Sequence, residues 1–212
     1  MNTPNVVLMT QAREVLKGKW LHAIKAFLVY VLVMILLNVL SRASGIFTLL
    51  SLVVVGPLTI GLCGFWISFS KNQNPKLEKI FDGFKTWWRG AVAYFLVSLY
   101  TFLWFLLLII PGIIAMFWYS QTFYILAEDP NIEPNDAIRK SKEMMKGNKW
   151  KLFCLSCRFI GWSLLCLLTL GIGFLWLGPY IRVTFAKFYD DIKGSQPPQP
   201  APIPTPIPVP TA

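Results

Sequence analysis

Three successive segments of this chain repeat one order of features, each about sixty residues long: a basic amphipathic stretch, a glycine beside tryptophan and cationic residues, and a long apolar run interrupted by proline. In the first, Ala12-Arg13-Glu14-Val15-Leu16-Lys17-Gly18-Lys19-Trp20 leads into apolar sequence containing Gly56-Pro57. The second opens at Asn74-Pro75, passes through Trp87-Trp88-Arg89-Gly90, contains Pro111-Gly112 and closes at Asp129-Pro130. The third runs from Ala137 through Lys146-Gly147-Asn148-Lys149-Trp150 to Gly178-Pro179 and ends at Asp190-Asp191. Repetition of this kind predicts a pseudosymmetric membrane fold, with units at about 6–74, 75–133 and 134–194.

The solvent of such a chain is mostly lipid, since 55% of its residues are hydrophobic, only 14% are charged, and the mean hydropathy is +0.55. Residues 91–110 carry no charge and are long enough to cross a hydrocarbon core of about 30 Å as a helix. Further apolar runs cover 23–40, 46–69, 113–127, 152–170 and 172–188. The expected fold is an all-α polytopic membrane protein. About six transmembrane helices form three units, each an interfacial amphipathic helix followed by a transmembrane hairpin. Residues 113–127 and the part of the last run after Pro179 are short, so a re-entrant half-helix and a count of five stay open. Proline is cheapest at a hairpin tip, because in mid-helix it frees a carbonyl that lipid cannot satisfy. The first apolar run exceeds the length of a signal-peptide core, which argues against cleavage after Ser41-Arg42-Ala43.

Cations set the orientation. With six crossings, Lys and Arg fall at the N-terminus, at 71–89, at 139–158 and from 182 onward, all toward one side, and Arg42 alone lies opposite. The positive-inside rule then places both termini in the cytoplasm, and the net charge of +10 becomes a belt facing anionic lipid rather than a nucleic-acid groove.

Each unit opens with an expected interfacial helix. In the second, Leu77, Ile80, Phe81, Phe84 and Trp88 recur at α-helical spacing among Lys76, Glu78, Lys79, Asp82 and Lys85. In the third, Ala137, Ile138, Ser141, Met144 and Met145 make the apolar stripe. Gly147 is expected to end that helix in a left-handed conformation, and Gly18 to repeat the device. Trp20, Trp88 and Trp150 are the expected anchors at headgroup depth.

The stretches Ile125-Leu126-Ala127-Glu128-Asp129-Pro130, Ala137-Ile138-Arg139-Lys140-Ser141, Met145-Lys146-Gly147-Asn148-Lys149, Phe159-Ile160-Gly161-Trp162 and Gly171-Ile172-Gly173-Phe174-Leu175-Trp176-Leu177-Gly178-Pro179-Tyr180, with Phe188-Tyr189, resemble the bacterial integral membrane family catalogued as domain of unknown function 975. The resemblance is strong over 125–191 and looser over 12–124; a weaker similarity links the chain to the membrane domain of some glycerophosphodiester phosphodiesterases. It implies a bacterial cytoplasmic membrane protein and brings no catalytic residue with it.

Catalytic chemistry is hard to assemble from the remaining residues. His22 is the only histidine and reads as an interfacial side chain. Cys154 and Cys157 form a C-x-x-C inside an apolar run, where packing is the simpler reading, and Cys63 and Cys166 are isolated. Glu128, Asp129, Asp190 and Asp191 sit at the ends of crossings and read as solvated caps. No cofactor or metal is expected. Arg158 and Arg182 are costlier, each about 12 Å inside the cytoplasmic boundary of one hairpin. Two cations at one depth without an acid predict a shared anion such as an anionic lipid headgroup, whereas snorkelling or pairing with Glu128 or Asp129 is the competing account. The tail 195–212 has proline at eight positions and is expected to be a disordered polyproline II extension. The expected function is non-enzymatic: binding or organising membrane lipids, or a protein partner reached through the interfacial helices or the Pro-rich tail. A small transporter for a lipidic or amphipathic substrate is the alternative.

Overall fold

Helix is the only regular structure among the described residues, which in this computed structural model are 3–43, 45–169 and 171–194; the Pro-rich tail lies outside them. A short helix α1 (Asn5–Leu16) precedes the long pair α2 (Trp20–Ala43) and α3 (Gly45–Ser70). A 3₁₀ helix (Leu77–Thr86) precedes α4 (Trp87–Leu107), whose return is divided into α5 (Ile109–Tyr119) and α6 (Thr122–Glu128). The short α7 (Pro134–Met144) precedes α8 (Lys149–Leu168) and α9 (Phe174–Gly194). Five segments among the described residues are long and apolar enough to cross a bilayer: Trp20–Arg42, Val53–Ser70, Leu77–Leu107, Ile109–Glu128 and Lys149–Leu168. The sixth expected crossing lies in α9, whose Arg182, Lys187, Asp190, Asp191 and Lys193 keep it out of that set.

Burial separates inner from outer helices. In α3 the crossing segment is 72% buried, against 11% in α2 and 17% in α8. The returning helix is the inner one in the second pair too, where α5 and α6 are more buried than α4. α9 contributes Val183, Thr184, Ala186, Phe188 and Tyr189 to the core. Each short helix packs against the inner helix of the preceding pair: the 3₁₀ helix on α3, α7 on α6, and α1 around the ring on α9. α1 lies lengthwise along the last hairpin, from Thr3 at Asp191 and Asn5 at the Lys151 carbonyl to Met9 at Arg158 and Tyr180.

The tightest packing is backbone on backbone, where α3 meets the 3₁₀ helix and α4. A Cβ on Gly61 would lie 1.9 Å from the Ile80 carbonyl oxygen, one on Gly83 1.9 Å from that of Pro57, and one on Gly56 2.1 Å from that of Gly90. Small residues allow this approach, which in lipid replaces the hydrophobic drive with van der Waals contact. The approach also sets which residues of the second short helix face α3. At three residues per turn, Leu77, Ile80 and Gly83 form that row, and Phe81 and Phe84 are exposed, as is Trp88 at the start of α4.

The third unit is built as expected. Ala137, Ile138, Ser141, Met144 and Met145 are buried, whereas Arg139, Lys142, Glu143 and Lys146 are exposed. Gly147 and Gly18 both have φ of +80°, the left-handed conformation that releases the chain from the short helix. Gly90 is different: it lies inside α4 and serves close approach to Pro57. Gly147→Val is therefore expected to cost about 1–2 kcal/mol, the strain of a left-handed non-glycine residue. Gly194→Val, with open space at its Cβ and no positive φ, is the control. Equal thermal stability of the two variants in detergent would remove the turn assignment.

Candidate functional site

The break between α5 and α6 falls at Ser120-Gln121, which with Thr122 forms a polar stretch inside an otherwise apolar run. A broken helix at membrane depth must find partners for its freed backbone groups. Ser141 of α7, fully buried, supplies both: its hydroxyl donates to the Trp118 carbonyl at 2.7 Å and accepts from the Gln121 N–H at 3.2 Å. The amphipathic stripe of α7 thus splints the interruption as well as covering α6.

A cavity of about 370 Å³ opens beside this break, between α5, α6, α8 and α9. Ile113, Met116, Phe117, Leu152 and Phe185 make its apolar wall, and Ser120, Gln121, Tyr124 and Ser156 add polar groups. Arg182 is the only charged residue in the lining. Its guanidinium stands 5.5 Å from the centroid of the Tyr30 ring, a cation–π contact that holds it without neutralising it. Among the described residues no carboxylate lies within ion-pair distance of Arg182.

Gln121 is 2% exposed. The Ser120 hydroxyl donates to the Phe117 carbonyl at 2.8 Å and accepts from Gln121 Nε2 at 2.9 Å. The Gln121 amide oxygen is itself buried, with no protein hydrogen-bond partner among the described residues. Sequence reading passed over this pair. The signal was present in the polar run Ser120-Gln121-Thr122 within 113–127, but nothing local showed that the first two line a cavity with Arg182.

Arg158 has other surroundings. It is exposed on α8, with Nη1 3.8 Å from the Met9 sulfur, and it is not among the residues lining the Arg182 cavity. The three anchor tryptophans also diverge: Trp88 and Trp150 are exposed, whereas Trp20 is half-buried against the core. His22 stacks beside Phe65 and Phe69, and its Nε2 donates to the Pro75 carbonyl at 2.8 Å, which joins α2 to the segment leading into the 3₁₀ helix. Cys154 and Cys157 are free and exposed, and no metal-binding cluster occurs among the described residues.

The acidic residues at the helix ends are not simply solvated caps. Glu128 accepts from Lys193 at 2.6 Å and from the Tyr189 hydroxyl at 2.7 Å, and Lys71 approaches both Glu128 and Asp190. Together these groups tie the ends of α3, α6 and α9. Lys151 and Asp191, 2.5 Å apart and largely buried, close the α8–α9 hairpin, with Thr3 of the N-terminal segment donating to the same carboxylate. Burial by itself would raise the Asp191 carboxyl, but hydrogen bonds from Lys151 and Thr3 outweigh it and hold the group below its ordinary value. For Asp190 burial prevails over Lys71 and Ser70, and the carboxyl is pushed up.

Neither the curated proteins nor the solved structures hold a match to the chain. A model of the family described as protein of unknown function DUF975 matches residues 1–117 and 105–196. These two matches take in every described helix, including the inner helices and the cavity between them, and the chain belongs to the DUF975 family.

Proposed function

We propose that this protein is a non-enzymatic component of the bacterial cytoplasmic membrane that holds an anionic amphiphile, a membrane lipid, with Arg182 as the partner of its charge. The carrying observation is a guanidinium without a carboxylate in the wall of a largely apolar cavity. A cation at that depth calls for an anion, and the apolar wall beside it suits an acyl chain. Arg158, set apart beside Met9, is assigned no share in the site. The architecture in this reading is three like units, each an interfacial helix and a hairpin, with both termini cytoplasmic. The cyclic order in which each short helix covers the preceding inner helix supports it. Single cysteines at positions 79 and 142 are expected to label only from the cytoplasm; labelling of either from outside intact cells would overturn the orientation.

The lipid assignment is tested by native mass spectrometry of the purified protein at matched folding. Arg182→Gln is expected to lower retention of anionic phospholipid about tenfold, the scale of one charge-assisted contact. Arg158→Gln and the exposed control Lys146→Gln are expected to stay within about twofold of the parent. Undiminished retention in Arg182→Gln would sink the reading, and equal losses at Arg158 and Arg182 with little further loss in the double change would show instead that the two cations share one anion.

A carrier for such an amphiphile is the second reading. The α5–α6 interruption beside the cavity favours it, because broken helices at membrane depth mark the substrate sites of many transporters. Accelerated exchange of a labelled anionic lipid between leaflets of reconstituted vesicles would select this reading; an unchanged rate would select a static binder.

A further inference from the structure

We infer that the amphiphile held at Arg182 carries two phosphate groups on one bridge, the second of them met by Lys149 and Lys142, so that the site is one for a dianionic lipid of the diphosphatidylglycerol type. This rests on the reading that Arg182 holds an anion, and it names the class of lipid. A second groove of about 230 Å³ adjoins the Arg182 cavity, between α5 and α8. Ile110, Ile113, Ile114, Phe117, Trp150 and Phe153 line it together with Lys149, the only charged residue there. Ile113 and Phe117 also line the Arg182 cavity, so the two spaces share a wall. They adjoin along α8 as well: Leu152 and Ser156, which line the Arg182 cavity, lie about 4.5 and about 10.5 Å beyond Lys149 along the helix axis.

The charge at this second groove is uncompensated. Lys149 Nζ stands 4.3 Å, and Lys142 Nζ 4.7 Å, from the centroid of one ring, that of Trp118. An aromatic face attracts each ammonium without supplying a negative charge, and two ammonium groups drawn to one indole repel each other. Among the described residues no carboxylate lies within ion-pair distance of either lysine. An anion beside Trp118 relieves that repulsion. It also comes next to the shared wall, because Trp118 follows Phe117 in α5. Two cationic stations, each beside an apolar space, therefore meet at one wall. Two separate monoanionic lipids would bring like charges together there, whereas a covalent bridge makes the second contact intramolecular and raises its effective concentration. One to two helical turns is a span that two phosphates on a three-carbon alcohol can cover, given the length of the cationic side chains that reach for them. About 370 and about 230 Å³ each admit a phosphate and the first part of a chain, and the exposed Ile110 and Trp150 leave the second groove open for the remaining tails.

Diphosphatidylglycerol and phosphatidylglycerol of the same acyl chains present two phosphates and one. In competition on the unmodified protein, read by native mass spectrometry, a single diphosphatidylglycerol is expected to be retained about tenfold over phosphatidylglycerol, the worth of one further charge-assisted contact. Equal retention of the two would overturn the inference without recourse to any variant. The double change Lys142→Gln with Lys149→Gln is expected to bring the two lipids within about twofold and to leave phosphatidylglycerol binding unchanged, whereas Lys146→Gln, at an exposed lysine between them, keeps the preference. A preference that persists in the folded double variant overturns the role of the two lysines and leaves the Arg182 reading standing. Two phosphatidylglycerol molecules on the unmodified protein, of which the double variant loses one, would show two separate monoanionic sites and overturn the bridge. Arg182→Gln is expected to weaken both lipids, and undiminished binding of both overturns the Arg182 reading together with the inference. Inorganic pyrophosphate in excess is expected to leave the lipid bound; displacement by it would overturn the assignment of the site to a lipid.

Discussion

Gly61→Ala is expected to abolish the monodisperse folded protein in detergent, whereas Gly64→Ala, three residues further along α3, leaves it intact. The two glycines share one helix and one substitution, and differ in what the added methyl group meets. At Gly61 the new Cβ would fall 1.9 Å from the Ile80 carbonyl oxygen, which belongs to backbone and cannot rotate away; at Gly64 it meets the Ala127 Cβ at an ordinary 3.7 Å. Relief at Gly61 requires the 3₁₀ helix to move off α3, and Gly83 on Pro57 and Gly56 on Gly90 lose their contacts with it. The cost is expected to exceed about 3 kcal/mol, the upper range for overpacking a core. Fluorescence-detected size exclusion and thermal melts of both variants provide the check. A Gly61→Ala protein that melts within a few degrees of the parent would show that α3 and the 3₁₀ helix are not held this closely.

The second large effect is expected at the end of the α8–α9 hairpin. Asp191→Ala leaves Lys151, 14% exposed, without its counter-charge, and the loss is expected to be about 3 kcal/mol. A double change, Lys151→Met with Asp191→Leu, is expected to recover most of it, because removing both partners leaves no buried charge unpaired, only the Thr3 donors. Equal instability of the single and double variants would mean that packing, and not the ion pair, is what was lost. The pH dependence has a definite sign. With its carboxyl held below the ordinary value near 3.9, Asp191 contributes full stability above that value and loses it as pH falls through the lowered folded-state value. Asp190 acts oppositely: its raised carboxyl is destabilising once ionised, so its contribution declines as pH rises through the raised value. Asp191→Asn is therefore expected to flatten the acid limb of the stability profile below about pH 4, and an unchanged limb would contradict the pairing.

Much of this architecture was legible because it depends on local chemistry. Gly147 follows an amphipathic stretch and precedes a tryptophan at the start of an apolar run, and left-handed glycine is the ordinary way to end such a helix. The stripe of α7 was legible for the same reason, down to Ser141. In the second unit the apolar residues at helical spacing were legible, but not which of them would face α3. Sequence periodicity assumes 3.6 residues per turn, and contact of Gly83 with Pro57 instead goes with a 3₁₀ winding. Gly90 resembles Gly18 and Gly147 in its sequence surroundings, yet its conformation is helical because α3 lies against it.

Arg158 and Arg182 mark the boundary between the two kinds of information. Spacing from Trp150 and Asp190 assigns both to a similar depth, but depth along a hairpin does not specify direction around each helix axis. That direction was decided by packing: α1 along the last hairpin takes Arg158 beside Met9, and the inner helices take Arg182 into the cavity. Gln121 became part of the site in the same way, through a splint from α7 that no local pattern contains. By itself the sequence determined the membrane class, the order of short and long helices, the glycine turns and the cost of the intramembrane cations, since all of these follow from composition and from chemistry within a few residues. Only the tertiary structure decided which glycines touch backbone, which acids meet lysines, and which polar groups share a cavity, because those depend on the rotation and contact of helices far apart in the chain.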